Sequence, residues 1–128
     1  HQYGKICKVI FETCYLSEEE IIRLAQIARE VKPDFIKTST GKNGIAATPE
    51  AAVAMCLAIR QFAEKTGRKV GFKAAGGIST AESAALYYSI VEEILGEEWL
   101  TPERFRIGAS SLANNLLSEI EGREIKYF

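Results

Sequence analysis

The chain has 128 residues, of which 47% are apolar and 26% charged, and this is the composition of one ordinary globular domain. Its 16 basic and 17 acidic residues give a net charge of −1, which argues against nucleic acid or an anionic membrane as a partner. His1 is the only histidine and the three cysteines lack metal-ligand spacing. Histidine-based metal or triad chemistry is therefore nearly excluded, and a reducing, cytoplasmic compartment is expected.

The first strand is predicted at residues 6–13, where apolar and β-branched side chains predominate. Ser17 and Glu20 then have the spacing of a capping box, in which the hydroxyl accepts from a free helix N–H and the carboxylate reaches back. Pro33 ends the helical region that follows, and a second strand is predicted at residues 34–40. The first unit is therefore a strand followed by a helix.

The same order of strand, loop and helix recurs along the rest of the chain. Thr48 followed by Pro49 is a strong start for the second helix, and Ser79 with Glu82 predicts a capping box for the third. The other predicted segments are a loop at 41–47, an end of the second helix near Lys65, strands at 69–75 and 105–109, an end of the third helix near Leu95, a turn at 101–103, a last helix from Ser110 or Ser111, and a mobile tail at 122–128.

Four strand–helix units in succession predict an α/β domain with parallel strands and helical crossovers. No linker or change of composition divides the chain, so a single domain is expected over residues 1–128. A complete eight-unit barrel typically needs about 250 residues. The length of this chain is therefore about half of what that fold requires.

Basic residues lie inside all four predicted strands, although parallel strands covered on both faces are normally apolar. These residues are Lys8, Lys37, Lys73 and Arg106. On an edge strand, such a side chain could lie along the apolar surface and place its charged end in solvent. This is a poor explanation for central strands. Lys37 and Lys73 both lie near the carboxyl end of a strand, where α/β proteins bind ligands. Like charge and burial lower the pKa of one such lysine, and a neutral amine can form a Schiff base with a carbonyl.

Glycine-rich segments follow the third and fourth strands and lead into helices. Gly76 and Gly77 form one, and Gly108, Ser110 and Ser111 belong to the other. Free N–H groups at a helix start, with glycines that allow close approach, bind anions, and barrels commonly bind phosphate after their last two strands. Tight strand-to-helix turns are the structural alternative, and the recurrence in neighbouring units favours phosphate.

Four segments together resemble the deoxyribose-phosphate aldolase family. The sequence Asp-Phe-Ile-Lys-Thr-Ser-Thr-Gly at 34–41 is similar to its Schiff-base strand, and Gly-Phe-Lys-Ala-Ala-Gly-Gly at 71–77 to its second-lysine motif, where proline usually replaces Ala74. Residues 107–111 resemble its phosphate-binding turn, and residues 8–13 the strand before the Schiff-base unit. The resemblance implies that the chain is the C-terminal half of a TIM (β/α)8 barrel.

The resemblance implies a class I aldolase of deoxyribonucleotide breakdown, which reversibly cleaves 2-deoxy-D-ribose 5-phosphate to acetaldehyde and D-glyceraldehyde 3-phosphate without metal or cofactor. It makes Lys37 the nucleophile and Lys73 the neighbouring cation that lowers its pKa and joins a proton relay. Lys8 matches a lysine in the same pocket, and Tyr127 could stand in for a C-terminal tyrosine that aids proton transfer in some members. The phosphate-end positions matched are Gly41, Lys42, Gly76, Gly77, Gly108, Ser110 and Ser111.

Two departures from the family pattern leave alternatives open. Ser79 stands where many members have an arginine near the phosphate, and the relay aspartate belongs to the half of the barrel that this chain lacks. Three arrangements could cover the open edges of the sheet. The chain could be part of a longer protein, two copies of it could pair, or the sheet could flatten. We favour the first and expect the full-length protein to form a homodimer. The alternatives in function are a non-catalytic half-barrel that binds a sugar phosphate or a partner chain, and an aldolase for another phosphosugar.

Overall fold

A computed structural model describes residues 3–44 and 46–127, so His1, the only histidine, and Phe128 at the end of the predicted tail lie outside the described residues. The chain alternates strands and helices from end to end. The strands are β1 (Lys8–Ile10), β2 (Phe35–Lys37), β3 (Gly71–Ala75) and β4 (Phe105–Gly108), and the helices are α1 (Glu18–Val31), α2 (Pro49–Thr66), α3 (Ala81–Leu95) and α4 (Leu112–Glu121). Short 3-10 helices lie at Thr13–Tyr15 and Glu97–Trp99.

The strands form one parallel sheet in the order β1-β2-β3-β4. Because parallel crossovers are right-handed, this sequential order places the helices on one face of the sheet. The apolar core lies between that face and the helices, and Ile36 and Phe72 of the sheet join Met55 of α2 in it. This is the arrangement expected for four consecutive units of a TIM barrel, and it confirms the predicted fold class.

Two of the predicted helix starts are confirmed. The Ser17 N–H donates to the Glu20 carboxylate at 2.8 Å, and the Glu20 N–H donates to the Ser17 hydroxyl at 3.3 Å. The Thr48 hydroxyl accepts from the Ala51 N–H at 3.2 Å, with Pro49 as the first residue of α2. Both caps satisfy N–H groups that a helix start would otherwise leave without a partner.

The predicted cap of the third helix was wrong by one residue. Thr80 caps α3 and forms a capping box with Ser83, in place of the expected pair Ser79 and Glu82. Ile78 is buried in the core, and the Ser79 carbonyl accepts from the Asn115 side chain at 2.6 Å. These contacts hold residues 78 and 79 in the loop, so the helix begins later than the sequence spacing suggested.

Replacing Thr80 by alanine is expected to destabilise the protein by about 1 kcal/mol, because the Ser83 N–H loses its acceptor at the start of α3. The Ser79→Ala variant is the matched control and should change stability by less than about 0.5 kcal/mol, since the Ser79 hydroxyl does not cap the helix. Chemical denaturation of both variants measures the difference. Equal losses would show that the cap has been assigned to the wrong residue.

The observed strands are shorter than the predicted ones. β1 ends before Glu12, which has a left-handed backbone with φ 54°.

Beyond α4, the Ile125 N–H donates to the Ser118 hydroxyl at 2.8 Å and the Tyr127 N–H donates to Asn114 Oδ1 at 3.0 Å. These bonds connect the predicted tail to α4. Among the described helices, none is long and apolar enough to cross a membrane.

Candidate active site

The basic residues of the strands share the sheet face that is turned away from the helices. In the parallel register Lys37 of β2 pairs with Lys73 of β3, and Lys73 pairs with Arg106 of β4. Register partners point to the same side, and residues two apart along a strand do so as well. Lys8 of β1 is the partner of Phe35, which precedes Lys37 by two, so Lys8 also belongs to this open face.

Lys73 lies in a groove made by a missing side chain on β4. A Cβ added to Gly108 would come within 2.9 Å of Lys73 Cε and 2.8 Å of the Ala75 Cβ. The lysine stem therefore extends over Gly108, which explains a glycine at this position without a bound ligand. Burial lowers the pKa of Lys73, and the positive charges of Lys8, Lys37 and Arg106 lower it further.

An open cleft lies at the carboxyl ends of β2, β3 and β4. Its cavity volume is about 390 Å³, which lies in the range of small-molecule sites. Lys37 lines it, and the rest of its wall is mainly glycine and small polar residues. Of the predicted site residues, those that border it are Lys37, Gly41, Gly76, Gly77, Gly108 and Ser110. Thr40 and Ser79 also line it and supply hydroxyl groups.

The residue after Lys37 connects two strands at the cleft. Thr38 is fully buried, and its hydroxyl donates to the Ala75 carbonyl at 3.0 Å and accepts from the Ala75 N–H at 2.9 Å. This pair of hydrogen bonds continues the pairing of β2 and β3 beyond Lys37. It fixes the backbone that carries the lysine relative to the backbone that leads into Gly76.

Replacing Thr38 by valine is expected to destabilise the protein by about 1 to 3 kcal/mol, because both buried backbone groups of Ala75 lose their partner. Valine has nearly the same shape, so the loss isolates the hydrogen bonds. The Thr40→Val variant serves as the control, since Thr40 is exposed, and it should change stability by less than about 0.5 kcal/mol. Thermal or denaturant unfolding measures both, and an unchanged Thr38→Val variant would contradict this role.

The loop after β2 is held by two hydrogen bonds to neighbouring segments. The Ser39 hydroxyl donates to the Ala46 carbonyl at 2.7 Å, and the Thr40 N–H donates to the Glu12 carboxylate at 3.1 Å. Gly76 has φ 102°, and a Cβ added there would overlap the Cβ of Ala46. The two loops therefore touch beside Gly76, which also lines the cleft.

The remaining predicted site residues, Lys73 among them, are not part of the cleft lining. Lys42 and Ser111 are exposed and are not among the residues that line it, and Ser111 precedes α4 without a side-chain cap bond. Lys8 lies at the amino end of the open face, with its Nζ 5.6 Å from the centre of the Phe35 ring. The Tyr127 side chain is 69% exposed. The role of Tyr127 in proton transfer therefore stays a prediction.

Sequence reasoning missed several residues that build the site. Thr38, Ser39 and Ala46 lie in the correct segments, but nothing in their spacing indicates which hydroxyl meets which carbonyl. Arg106 was noted as a charge within a strand and was left out of the predicted site. Its register position beside Lys73 was the available signal, because the two residues occupy matching places in successive strands.

Comparison with known proteins agrees with this geometry. Residues 3–114 match the family model of the DeoC/LacD family aldolases. The chain belongs to this family. Among DeoC/LacD relatives, it is 58% identical over 84 residues to a Caenorhabditis elegans protein provisionally assigned as a deoxyribose-phosphate aldolase, over 66% of this chain and 28% of that protein. It is 47% identical to the deoxyribose-phosphate aldolase of Mus musculus, over 93% of this chain and 39% of the mouse protein.

A solved structure shows the same DeoC/LacD fold. A Toxoplasma gondii protein provisionally assigned as a deoxyribose-phosphate aldolase superposes with a TM-score of 0.76 at 25% identity, over 93% of this chain and 46% of that one. The chain therefore spans less than half the length of each of these relatives. The four units described above are one part of the fold that those proteins contain.

Proposed function

We propose that the protein is a lysine-dependent aldolase that reversibly cleaves 2-deoxy-D-ribose 5-phosphate to acetaldehyde and D-glyceraldehyde 3-phosphate, and that this chain carries its nucleophile and phosphate site. The observation that carries the proposal is the register pairing of Lys37 with Lys73 beside a glycine-lined cleft. Curated relatives named as deoxyribose-phosphate aldolases support the substrate.

The proposed chemistry begins at the Lys37 amine. Its lone pair attacks the sugar carbonyl carbon, and loss of water leaves an iminium. The electrons of the scissile carbon–carbon bond then move into the iminium to give an enamine, while the leaving hydroxyl oxygen becomes the carbonyl of glyceraldehyde 3-phosphate and gives up its proton. Protonation of the enamine and addition of water release acetaldehyde and regenerate the amine.

Lys73 is placed to move protons in this sequence. As a cation beside Lys37 it favours the neutral nucleophile, and because burial and the neighbouring charges lower its own pKa, it can also release its proton and take it back within the relay. A neighbouring iminium on Lys37 carries a positive charge, which continues to favour the neutral form of Lys73.

The phosphate end is assigned to the glycine-lined part of the cleft. Gly76 and Gly77 have positive φ angles and lie in the loop between β3 and the capped start of α3, and their lack of side chains leaves room for an anion to approach the backbone. Ser79 and Ser110 add hydroxyl groups in place of an arginine. The expected partners are thus a small phosphosugar and an aldehyde, and the chemistry assigned to these residues requires no cofactor.

The rest of the protein is proposed to complete the barrel. β1 and β4 are the edges of the described sheet, and unpaired strand edges are normally covered in proteins. Residues outside this chain, or a second copy of it, would pair with these edges and close the open face. We place the protein in the cytoplasm and expect the full-length form to be a homodimer.

Borohydride trapping of the intact protein tests the proposal. Incubation with deoxyribose phosphate or acetaldehyde, followed by reduction and peptide mapping, should give an adduct on Lys37, together with turnover of deoxyribose phosphate. Absence of an adduct on Lys37 would contradict the proposed mechanism.

The second candidate is a non-catalytic half-barrel that holds a sugar phosphate or a partner chain. It is favoured by one observation, namely that the chain covers only 39% of the mouse relative. Binding of deoxyribose phosphate without trapping or turnover would support it. We expect the 128 residues alone to turn over little or no substrate, and equal rates for this segment and the intact protein would refute that expectation.

A further inference from the structure

The carboxyl end of β1 carries one residue too many for regular pairing with β2. The Phe11 N–H donates to the Lys37 carbonyl at 2.9 Å, and the Thr13 N–H donates to the Thr38 carbonyl at 3.0 Å. In a regular parallel pair, donors two residues apart on one strand meet carbonyls that are also two residues apart. Here the two carbonyls belong to adjacent residues, so Glu12 is the extra residue of a bulge.

Glu12 has a backbone conformation that is unusual for its residue type. Its φ of 54° and ψ of 59° lie in the left-handed region, which is unfavourable for residues that carry a Cβ. In the described part of the chain, Lys32 at the end of α1 is the other residue of this kind that is not glycine. Bulges and strained backbone are concentrated at functional sites, so the Glu12 side chain calls for an explanation.

The bulge directs the Glu12 carboxylate to the turn that follows β2. The Thr40 N–H donates to the two carboxylate oxygens at 3.1 and 3.3 Å. Among the described residues, none of the ion pairs includes Glu12, so the carboxylate serves this backbone group instead of a neighbouring cation. Thr40 and Gly41 both line the cleft. The carboxylate therefore holds a part of the cleft wall from the side of β1.

The backbone around Lys37 is held by bonds that do not involve the Glu12 side chain. Thr38, the next residue, is buried and shares two hydrogen bonds with the backbone of Ala75. Thr40 is exposed in comparison. Loss of the Glu12 carboxylate should therefore loosen the turn and leave the lysine in place.

We propose that Glu12 is a positioning residue, which holds the turn at Thr40 and Gly41 in the conformation that binds the phosphosugar. The inference deepens the proposed function and rests on it, because that function places the substrate in the cleft that this turn lines. Glu12 acts through the Thr40 N–H and does not touch the substrate.

The Glu12→Gly variant of the intact protein tests the proposal, because glycine removes the carboxylate and adopts the left-handed backbone without strain. Hydrogen exchange of the Thr40 amide, followed by NMR without substrate, should be at least about fivefold faster because the N–H has lost its acceptor. The KM for deoxyribose phosphate should rise at least about threefold, while kcat stays within about twofold because Lys37 keeps its position.

Lys32→Gly is the matched control. Lys32 is also left-handed, with φ 50°, but it is exposed and lies at the end of α1, whereas the cleft lies at the carboxyl ends of the strands. This variant should change neither the Thr40 exchange rate nor KM. Glu12→Gln keeps an oxygen acceptor at the same place, so its KM should stay within about twofold of the parent.

Denaturant unfolding verifies that each variant is folded, and an unfolded Glu12→Gly protein would overturn the proposal by making the carboxylate a requirement of the fold. Unchanged Thr40 exchange in Glu12→Gly, a fall in kcat at constant KM, or an equal rise of KM in Glu12→Gln would also overturn it. Borohydride trapping on Lys37 of the parent is read separately. Its absence would overturn the proposed function, whereas the Thr40 exchange rate does not depend on that reaction.

Discussion

Replacing Lys37 by methionine is expected to abolish both the borohydride-trapped adduct and aldolase turnover in the intact protein. In the proposed mechanism this amine bonds to the substrate carbonyl, and methionine fills a similar volume without a nucleophile. Lys65→Met, in the last turn of α2, is the control and should leave both signals unchanged because Lys65 is exposed and distant from the open face.

The Lys73→Met variant separates the two lysines. It should still trap an adduct on Lys37, while turnover falls by about 10²- to 10⁴-fold because proton transfer is impaired. An adduct that maps to Lys73 in the parent, or that survives Lys37→Met, would reverse the assignment of the nucleophile.

The stability of the Lys73→Met variant has a defined dependence on pH. A lowered pKa means that the folded state binds the Lys73 proton less tightly than the unfolded state does. In the parent, this lysine therefore lowers stability at pH values below its folded pKa, and the loss is regained as pH rises into the ordinary lysine range. Lys73→Met should be no less stable than the parent at neutral pH, and it should lack this rise on the alkaline side.

Replacing Gly76 by alanine is expected to destabilise the protein by about 3 kcal/mol. The added methyl group overlaps the Cβ of Ala46, and a side chain at φ 102° is strained as well. Because Gly76 also lines the cleft, the affinity for inorganic phosphate should fall too. Denaturant unfolding and phosphate titration of the intact protein measure the two effects.

Gly77→Ala is the matched control for this prediction. Gly77 also has a positive φ, of 76°, but an added Cβ would meet nothing within 4 Å, so only the backbone cost of about 1 to 2 kcal/mol should appear. Adding Ala46→Gly to the Gly76→Ala variant should recover part of the lost stability. Equal losses at the two glycines would mean that the approach of the two loops does not matter.

The fold could be predicted from the sequence because its signals are local. Each strand–helix unit carries its own apolar run and start signal, and Ser17 and Thr48 cap the helices they were expected to cap. The start of the third helix was predicted one residue too early. Ser79 and Thr80 are both acceptable caps, and the burial of Ile78 favours Thr80. That choice depends on the core, which a single helix sequence does not describe.

The candidate site could be predicted in part for a similar reason. Lys37 and Lys73 could be brought together from their positions at strand ends, and the parallel register does pair them. Gly108 was assigned to phosphate from its motif, but the space it leaves holds the stem of Lys73 as well as bordering the cleft. Such a role depends on the direction of a side chain from a neighbouring strand, and the spacing of residues along one strand cannot reveal it.

The alternation within β3 has a consequence for folding. Phe72 and Ala74 are buried against the helices, while Lys73 between them lies on the opposite face. A slip of one residue in pairing would move the lysine into the apolar layer and turn Phe72 outward, and both changes are costly. A single strand slipped in this way would be rejected during folding. The lysine assigned to the proposed chemistry would thus also favour the correct register of its strand.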